Sequence, residues 1–171
     1  MRIFLIGLPG CGKSTLGKEV AQLMSRTYVD LDEEIVRGEG HSVAQIFQQE
    51  GEANFRKIEK KYLSYWCEHQ DDFIMATGGG TPCFLSNMEL INHSGKSIFL
   101  DAPVNVIANR MMNTELARRP LFAGQHVTTI AGRIEDMRQQ RFPFYERAHI
   151  TLSGDPINAG EIVKAIQALE G

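Results

Sequence analysis

The chain has 171 residues, 43% apolar and 23% charged, with a formal net charge of -3 and a pI near 6.0. That length suits one domain able to bury about 70% of its unfolded surface, so disulfide or metal staples are not needed for folding. The balance lacks the basic excess of a nucleic-acid binder, and any anionic ligand has to be met by local arginines. Cys11, Cys67 and Cys83 are odd in number and form no CxxC pair or metal-like spacing, which fits a reduced, cytoplasmic chain. The apolar start is too short for a signal sequence and runs straight into glycines, and no stretch reaches the length of a membrane span.

In chain order, Ile3–Ile6 is a continuous apolar run ending at a glycine, as in a strand buried on both faces of a parallel sheet. Lys13–Met24 follows as a helix with Leu16, Val20, Leu23 and Met24 on one side. Tyr28–Leu31 is a short strand, Val43–Phe47 a short helix, and Phe55, Ile58, Tyr62 and Trp66 stripe a helix from about Glu50 to His69. Phe73–Ala76 is a strand closed by Gly78-Gly79-Gly80, and Ser86 is placed to cap a helix to Ile91. Ile98–Leu100 is a strand, Pro103 opens a helix through Met112, and Thr129 to about Gln140 is helical. Ile150–Leu152 is a last strand, before a helix striped by Ile162, Val163, Ile166 and Leu169. Five strands alternating with helices predict an α/β domain, helices layered on both faces of a parallel sheet. Residues 113–127 fit neither period and read as a mobile loop, of a length more often functional than not. No repeat, low-complexity tract or linker divides the chain, so 1–171 is expected to be a single domain.

Gly7-Leu8-Pro9-Gly10-Cys11-Gly12-Lys13-Ser14-Thr15 has the spacing G-x-x-x-x-G-K-[ST] between a strand and a helix. Glycines there let successive N–H groups point at phosphate oxygens, and the helix presents its positive end to the same anion. Lys13 reaches the outer phosphates, and the Ser14 hydroxyl is suited to Mg²⁺. Gly10, Cys11, Gly12, Lys13, Ser14 and Thr15 are therefore the nucleotide-binding candidates, with Cys11 a small filler unless an open loop exposes its thiol. Asp30-Leu31-Asp32 closes the second strand. If strand geometry persists, both carboxylates project together about 6.5 Å apart, beyond the strand ends where ligands of open parallel sheets sit. Alternatively, Asp32 caps a helix. Gly78-Gly79-Gly80 permits close backbone approach to a ligand, or is a plain turn. Arg56, with Glu59 three residues on, Arg119 and Arg141 are candidate forks for carboxylate or phosphate; taken singly, each is equally a solvated surface residue.

The ordered set resembles shikimate kinase, a family of the nucleoside-monophosphate-kinase-like P-loop fold. It comprises the phosphate loop, Asp30-x-Asp32, Phe55-Arg56-x-x-Glu59, Gly78-Gly79-Gly80, Arg119-Pro120-Leu121 and Arg141-x-Pro143-x-Tyr145. The resemblance implies a P-loop kinase using ATP and Mg²⁺ to phosphorylate the 3-hydroxyl of shikimate, with a substrate-binding region at about 32–60 and a lid at about 113–127. Lys13 and Ser14 would then handle phosphate and metal, and Asp30 would support the metal. Asp32 would hold the acceptor hydroxyls and serve as base. Arg56 and Arg141 would grip the substrate carboxylate, with Gly78, Gly79 and Gly80 alongside, and Arg119 would close over the phosphates. A monomer with no nucleic-acid or membrane partner is expected. Ser153-Gly154-Asp155-Pro156-Ile157 departs from the family's usual pattern near adenine, so no base-reading residue is assigned. A gluconate or nucleoside-monophosphate kinase of the same fold is the alternative, and a non-catalytic ATP-binding module the more distant one.

Overall fold

The computed structural model describes residues 1–113 and 127–171. The expected lid and its Arg119 lie outside the described residues. Five strands form one parallel sheet in the order β2-β3-β1-β4-β5: β1 (Arg2–Ile6), β2 (Thr27–Asp30), β3 (Phe73–Ala76), β4 (Lys96–Asp101) and β5 (Ile150–Ser153). The three inner strands carry the apolar runs read from the sequence, and Ile3–Ile6, Phe73–Ala76 and Ile98–Leu100 are all buried. Such runs have no solvent face because helices cover both sides. Parallel crossovers are right-handed. The step from β1 out to β2 therefore puts α1 (Lys13–Leu23) on one face, where it meets α7 (Ala159–Glu170). The steps back across the sheet put α3 (Val43–His69) and α4 (Asn87–Ser94) on the other, and α5 (Val104–Asn113) packs on α6 (Val127–Tyr145). The result is the expected three-layer α/β/α arrangement. Among the described residues, no helix is long and apolar enough to cross a membrane.

Four local expectations change. The second strand stops at Asp30, and Leu31–Glu39 is a helix, α2. Asp30 is its N-cap, accepting from the Asp32 and Glu33 N–H groups at 3.1 and 3.3 Å. The two aspartates are thus not strand neighbours, and the capping residue is Asp30 rather than Asp32. Local side-chain-to-backbone bonding outcompeted strand continuation at this edge. Ser86 opens α4 without capping it: its φ is 56° and its hydroxyl makes no cap bond. Helix α6 runs on through Pro143 to Tyr145, so Arg141 is helical rather than beyond the helix. Burial decided this, because Phe142 and Tyr145 pack on Phe99 with ring centroids 6.2 and 5.0 Å apart, outweighing the hydrogen bond lost at proline. Helix α3 is interrupted at Gly51, φ 80° and ψ 168°, which separates the short helix from the long one as expected. Its buried face is Phe55, Arg56, Glu59, Leu63 and Cys67, with Ile58, Tyr62 and Trp66 flanking. Two buried charges on an inner helical face mean that this end of α3 faces something polar.

Candidate active site

Gly7, Gly10 and Gly12 have φ of 145°, 81° and 105°, values that side chains with a Cβ rarely adopt, so the loop between β1 and α1 requires glycine. Helix α1 begins at Gly12 with no side-chain cap and no acidic residue in its first turn. Its leading N–H groups are therefore left for an anion. By contrast α3 and α7 are closed by capping boxes, Ser42 with Gln45 and Asn158 with Glu161. The Lys13 ammonium donates to the Gly7 and Leu8 carbonyls at 2.8 and 2.9 Å. Its third proton has only the weak acceptor Cys11 Sγ, 3.8 Å away, and is available to a phosphate. Cys11 is 1% exposed with its sulfur against Gly7. The filler reading holds, and an exposed thiol does not occur.

Ser14 Oγ donates to Asp30 Oδ2 at 2.7 Å, and the Tyr28 hydroxyl donates to the same oxygen at 3.2 Å. Two hard oxygen donors beside the anion-binding helix end suit a cation that keeps most of its shell as water and phosphate, as Mg²⁺ does. Among the described residues no group of three or more His, Cys, Asp or Glu side chains is placed to hold a metal ion. A cavity of about 470 Å³ opens beside this loop, lined by Gly10 and the Gly12–Leu16 turn on one side and Arg110, Met111 and Ile157 on the other. Arg110 donates to the Gly10 carbonyl at 3.3 Å. These last three residues answer to no sequence signal. They come from α5 and from the segment after β5, where the motif pattern breaks off.

The acceptor side converges on the three glycines after β3. A Cβ on Gly78 would lie 3.1 Å from Glu59 Oε2 and 3.3 Å from Asp32 Oδ1. On Gly79 it would lie 2.6 Å from Pro9 Cδ and 2.9 Å from Arg141 Nη1, and on Gly80 2.5 Å from Arg56 Nη2. Each glycine thus admits one of the charged side chains singled out from the sequence. None of the three has a positive φ, so close approach rather than backbone conformation excludes a side chain here. Arg56 Nη1 donates to Glu59 at 2.9 Å and Nη2 to Glu52 at 3.2 Å, while Thr81 Oγ1 donates to the other Glu59 oxygen at 2.6 Å. Arg141 Nη1 is buried without a hydrogen-bond partner, and so is Arg56 Nε. Orphaned guanidinium nitrogens are costly, and with Arg141 Nη1 against Gly79 and the Arg56 guanidinium against Gly80 the turn fits an anionic ligand group. Burial, then the carboxylates of Glu59 and Asp30, push the Asp32 carboxyl up to about 6, with Lys13 and Arg56 opposing. Such a group is poised to exchange a proton near neutral pH.

The Tyr145 hydroxyl donates to the Gly79 carbonyl at 2.5 Å, and burial raises its pKa, which keeps it a donor. Tyr145 was visible in the sequence as the end of Arg141-x-Pro143-x-Tyr145. Its role was not, because the contact spans 66 positions. Thr81, 22 positions from Glu59, was missed for the same reason, whereas Glu52 stands four residues before Arg56 on one helix and the i,i+4 spacing could have found it.

Comparison with known proteins agrees with this geometry. Residues 9–169 match the family model described as shikimate kinase. The chain is 38% identical over 156 residues to shikimate kinase of Parabacteroides distasonis, covering 90% of this chain and 88% of that one. It is also 38% identical over 164 residues to shikimate kinase of Phocaeicola vulgatus, covering 96% and 93%. Among solved structures, shikimate kinase from Bacteroides thetaiotaomicron superposes with a TM-score of 0.88 at 32% identity, covering 99% of this chain and 97% of the other. Shikimate kinase from Acinetobacter baumannii in complex with shikimate gives 0.84 at 31% identity, covering 98% and 91%. With its phosphate loop, glycine triplet and paired arginines in place, the chain belongs to the shikimate kinase family.

Proposed function

We propose that this chain transfers the γ-phosphate of ATP to the 3-hydroxyl of shikimate, with Asp32 as the base. The carrying observation is the convergence of Asp32, Arg56 and Arg141 on Gly78–Gly80, which meet the phosphate loop at Pro9. Phosphoryl transfer asks the protein for positioning and charge stabilisation rather than covalent chemistry. In this reading Gly10–Thr15 and the start of α1 hold the ATP phosphates, and Lys13 adds a charge to the outer ones. The nucleoside occupies the cavity beside Arg110, Met111 and Ile157. Ser14 and Asp30 would hold Mg²⁺, which would supply positive charge to offset that of the phosphates. The guanidinium groups of Arg56 and Arg141, unpartnered at Nε and Nη1 respectively, take the acceptor carboxylate, and Glu59, fixed by Thr81, orients Arg56. Asp32 aligns the attacking hydroxyl and accepts its proton. Arg119 in the 113–127 lid supplies positive charge to the transferring group. The same reading takes 1–171 as one cytoplasmic, monomeric kinase domain whose region 32–60 binds the acceptor.

A coupled ADP-release assay tests it. Shikimate-dependent turnover is expected, with gluconate and nucleoside monophosphates inert. A folded, ATP-binding sample without shikimate-dependent turnover overturns the assignment.

A further inference from the structure

The face of the Arg56 guanidinium is covered by a ring that the reaction does not otherwise use. Phe84 lies with its centroid 4.1 Å from Arg56 Cζ, closer than Phe55 at 5.3 Å or Phe47 at 5.8 Å. In-plane bonds to Glu59 and Glu52 hold two corners of the guanidinium, and Nε has no partner. Those bonds fix its edges but resist tilting out of the plane poorly, whereas a ring stacked on the face resists that motion. Phe84 is 36% exposed and stands apart from the hydrophobic core, so core burial does not account for its position.

The backbone behind the ring is unusual. Leu85 and Ser86 have φ of 50° and 56°, two successive residues with a Cβ in the left-handed region, a disfavoured arrangement that persists where surroundings enforce it. Ser86 gains no cap bond in return. Lys60 Nζ donates to the Leu85 carbonyl at 2.8 Å, and Lys60 stands one turn beyond Arg56 on α3. The helix that presents the arginine therefore also ties down the turn that aims the ring at it.

We propose that Phe84 is a positioning residue for the acceptor, bracing the face of Arg56 so that its guanidinium stays aligned with the substrate carboxylate. The Leu85–Ser86 turn, tied to Lys60, is the device that holds the ring there. The inference rests on Arg56 gripping that carboxylate. A cation over an aromatic face is attracted more strongly once desolvated, so the bracing tightens as the acceptor closes the site.

Steady-state kinetics on the full chain test it, with shikimate and ATP varied separately for Phe84→Leu, Phe84→Tyr, Arg56→Lys and the double variant Phe84→Leu/Arg56→Lys. Phe84→Leu keeps apolar bulk and should raise the shikimate KM on the order of tenfold, with the ATP KM unchanged. Phe84→Tyr should stay within about twofold of the parent, because it keeps the ring. In the Arg56→Lys background Phe84→Leu should add nothing. A shikimate KM that rises in Arg56→Lys but not in Phe84→Leu overturns the bracing role and leaves the arginine grip standing. An unchanged shikimate KM in Arg56→Lys overturns both. Equal rises in both KM values, or fully multiplicative effects in the double variant, also overturn it, since Phe84 would then act on general folding or on the substrate directly.

Discussion

The donor and acceptor sides of the cleft are assembled in opposite ways. The donor side is one run of chain, Gly7 to Thr15, and its working parts are mostly main-chain N–H groups at an uncapped helix start. The acceptor side gathers side chains from α2, α3 and α6 around the turn after β3, spanning positions 32 to 141. One local sequence can specify an anion cradle, because backbone geometry and a lysine suffice. Recognition of a small hydroxylated acid needs charges placed at several angles, and one short segment cannot supply them. The two sides touch at Gly79, wedged between Pro9 and Arg141. A side chain at that position would push on both Pro9 and Arg141 at once.

The comparison predicts separable defects. The largest should come from Asp32→Asn, which keeps shape but removes the base. A fall in kcat of about 10²–10⁴ is expected with ATP binding retained; near-normal turnover would exclude an essential charge at Asp32. Next is Gly80→Ala, whose new methyl would crowd Arg56 Nη2 at 2.5 Å against the hold of Glu59 and Glu52. It should raise the shikimate KM roughly 10- to 100-fold and spare the ATP KM, and matched changes in both would show that the sides are not independent. The pH profile follows from the same carboxyl. With Asp32 pushed up to about 6, kcat/KM for shikimate should fall about tenfold per pH unit below that value, as the base becomes protonated. A flat profile down to pH 5 would mean that the proton leaves by another route.

The smallest effect is on stability. Asp32 binds its proton more tightly folded than unfolded, so its contribution is favourable below about 3.8 and is lost as pH rises through about 6. At neutral pH its ionised form costs at most about 3 kcal/mol. Asp32→Asn should accordingly unfold at higher urea near pH 7, with the gain vanishing toward pH 4. An acceptor-side residue would thus trade stability for catalysis, whereas the donor loop Gly7–Thr15 contains no carboxyl at all.

The phosphate loop was legible in full because a glycine spacing is a statement about local backbone. The core strands were legible because continuous apolar runs have one good use in a parallel sheet. The edge strand β2 was overextended, since nothing local says that Asp30 will cap a helix sooner than continue a ladder. The course of α6 past Pro143 was hidden because it depends on Phe99, far away in the chain. The family resemblance put Asp32, Arg56 and Arg141 forward as a set, and the structure brings them together around Gly78–Gly80, a mutual geometry the sequence did not make readable.

By itself the sequence determined the anion cradle, the parallel sheet and the kinds of side chain available to meet a carboxylate, because each follows from local periodicity, glycine spacing or residue chemistry. Only the tertiary structure decided that Gly79 and Gly80 stand against Arg141 and Arg56 and Gly78 against Glu59 and Asp32, that Thr81 and Tyr145 anchor Glu59 and the triplet, and that Phe84 lies on Arg56. The reason is physical: those contacts join residues that local forces cannot bring together, and they exist only once the sheet has fixed where each strand ends.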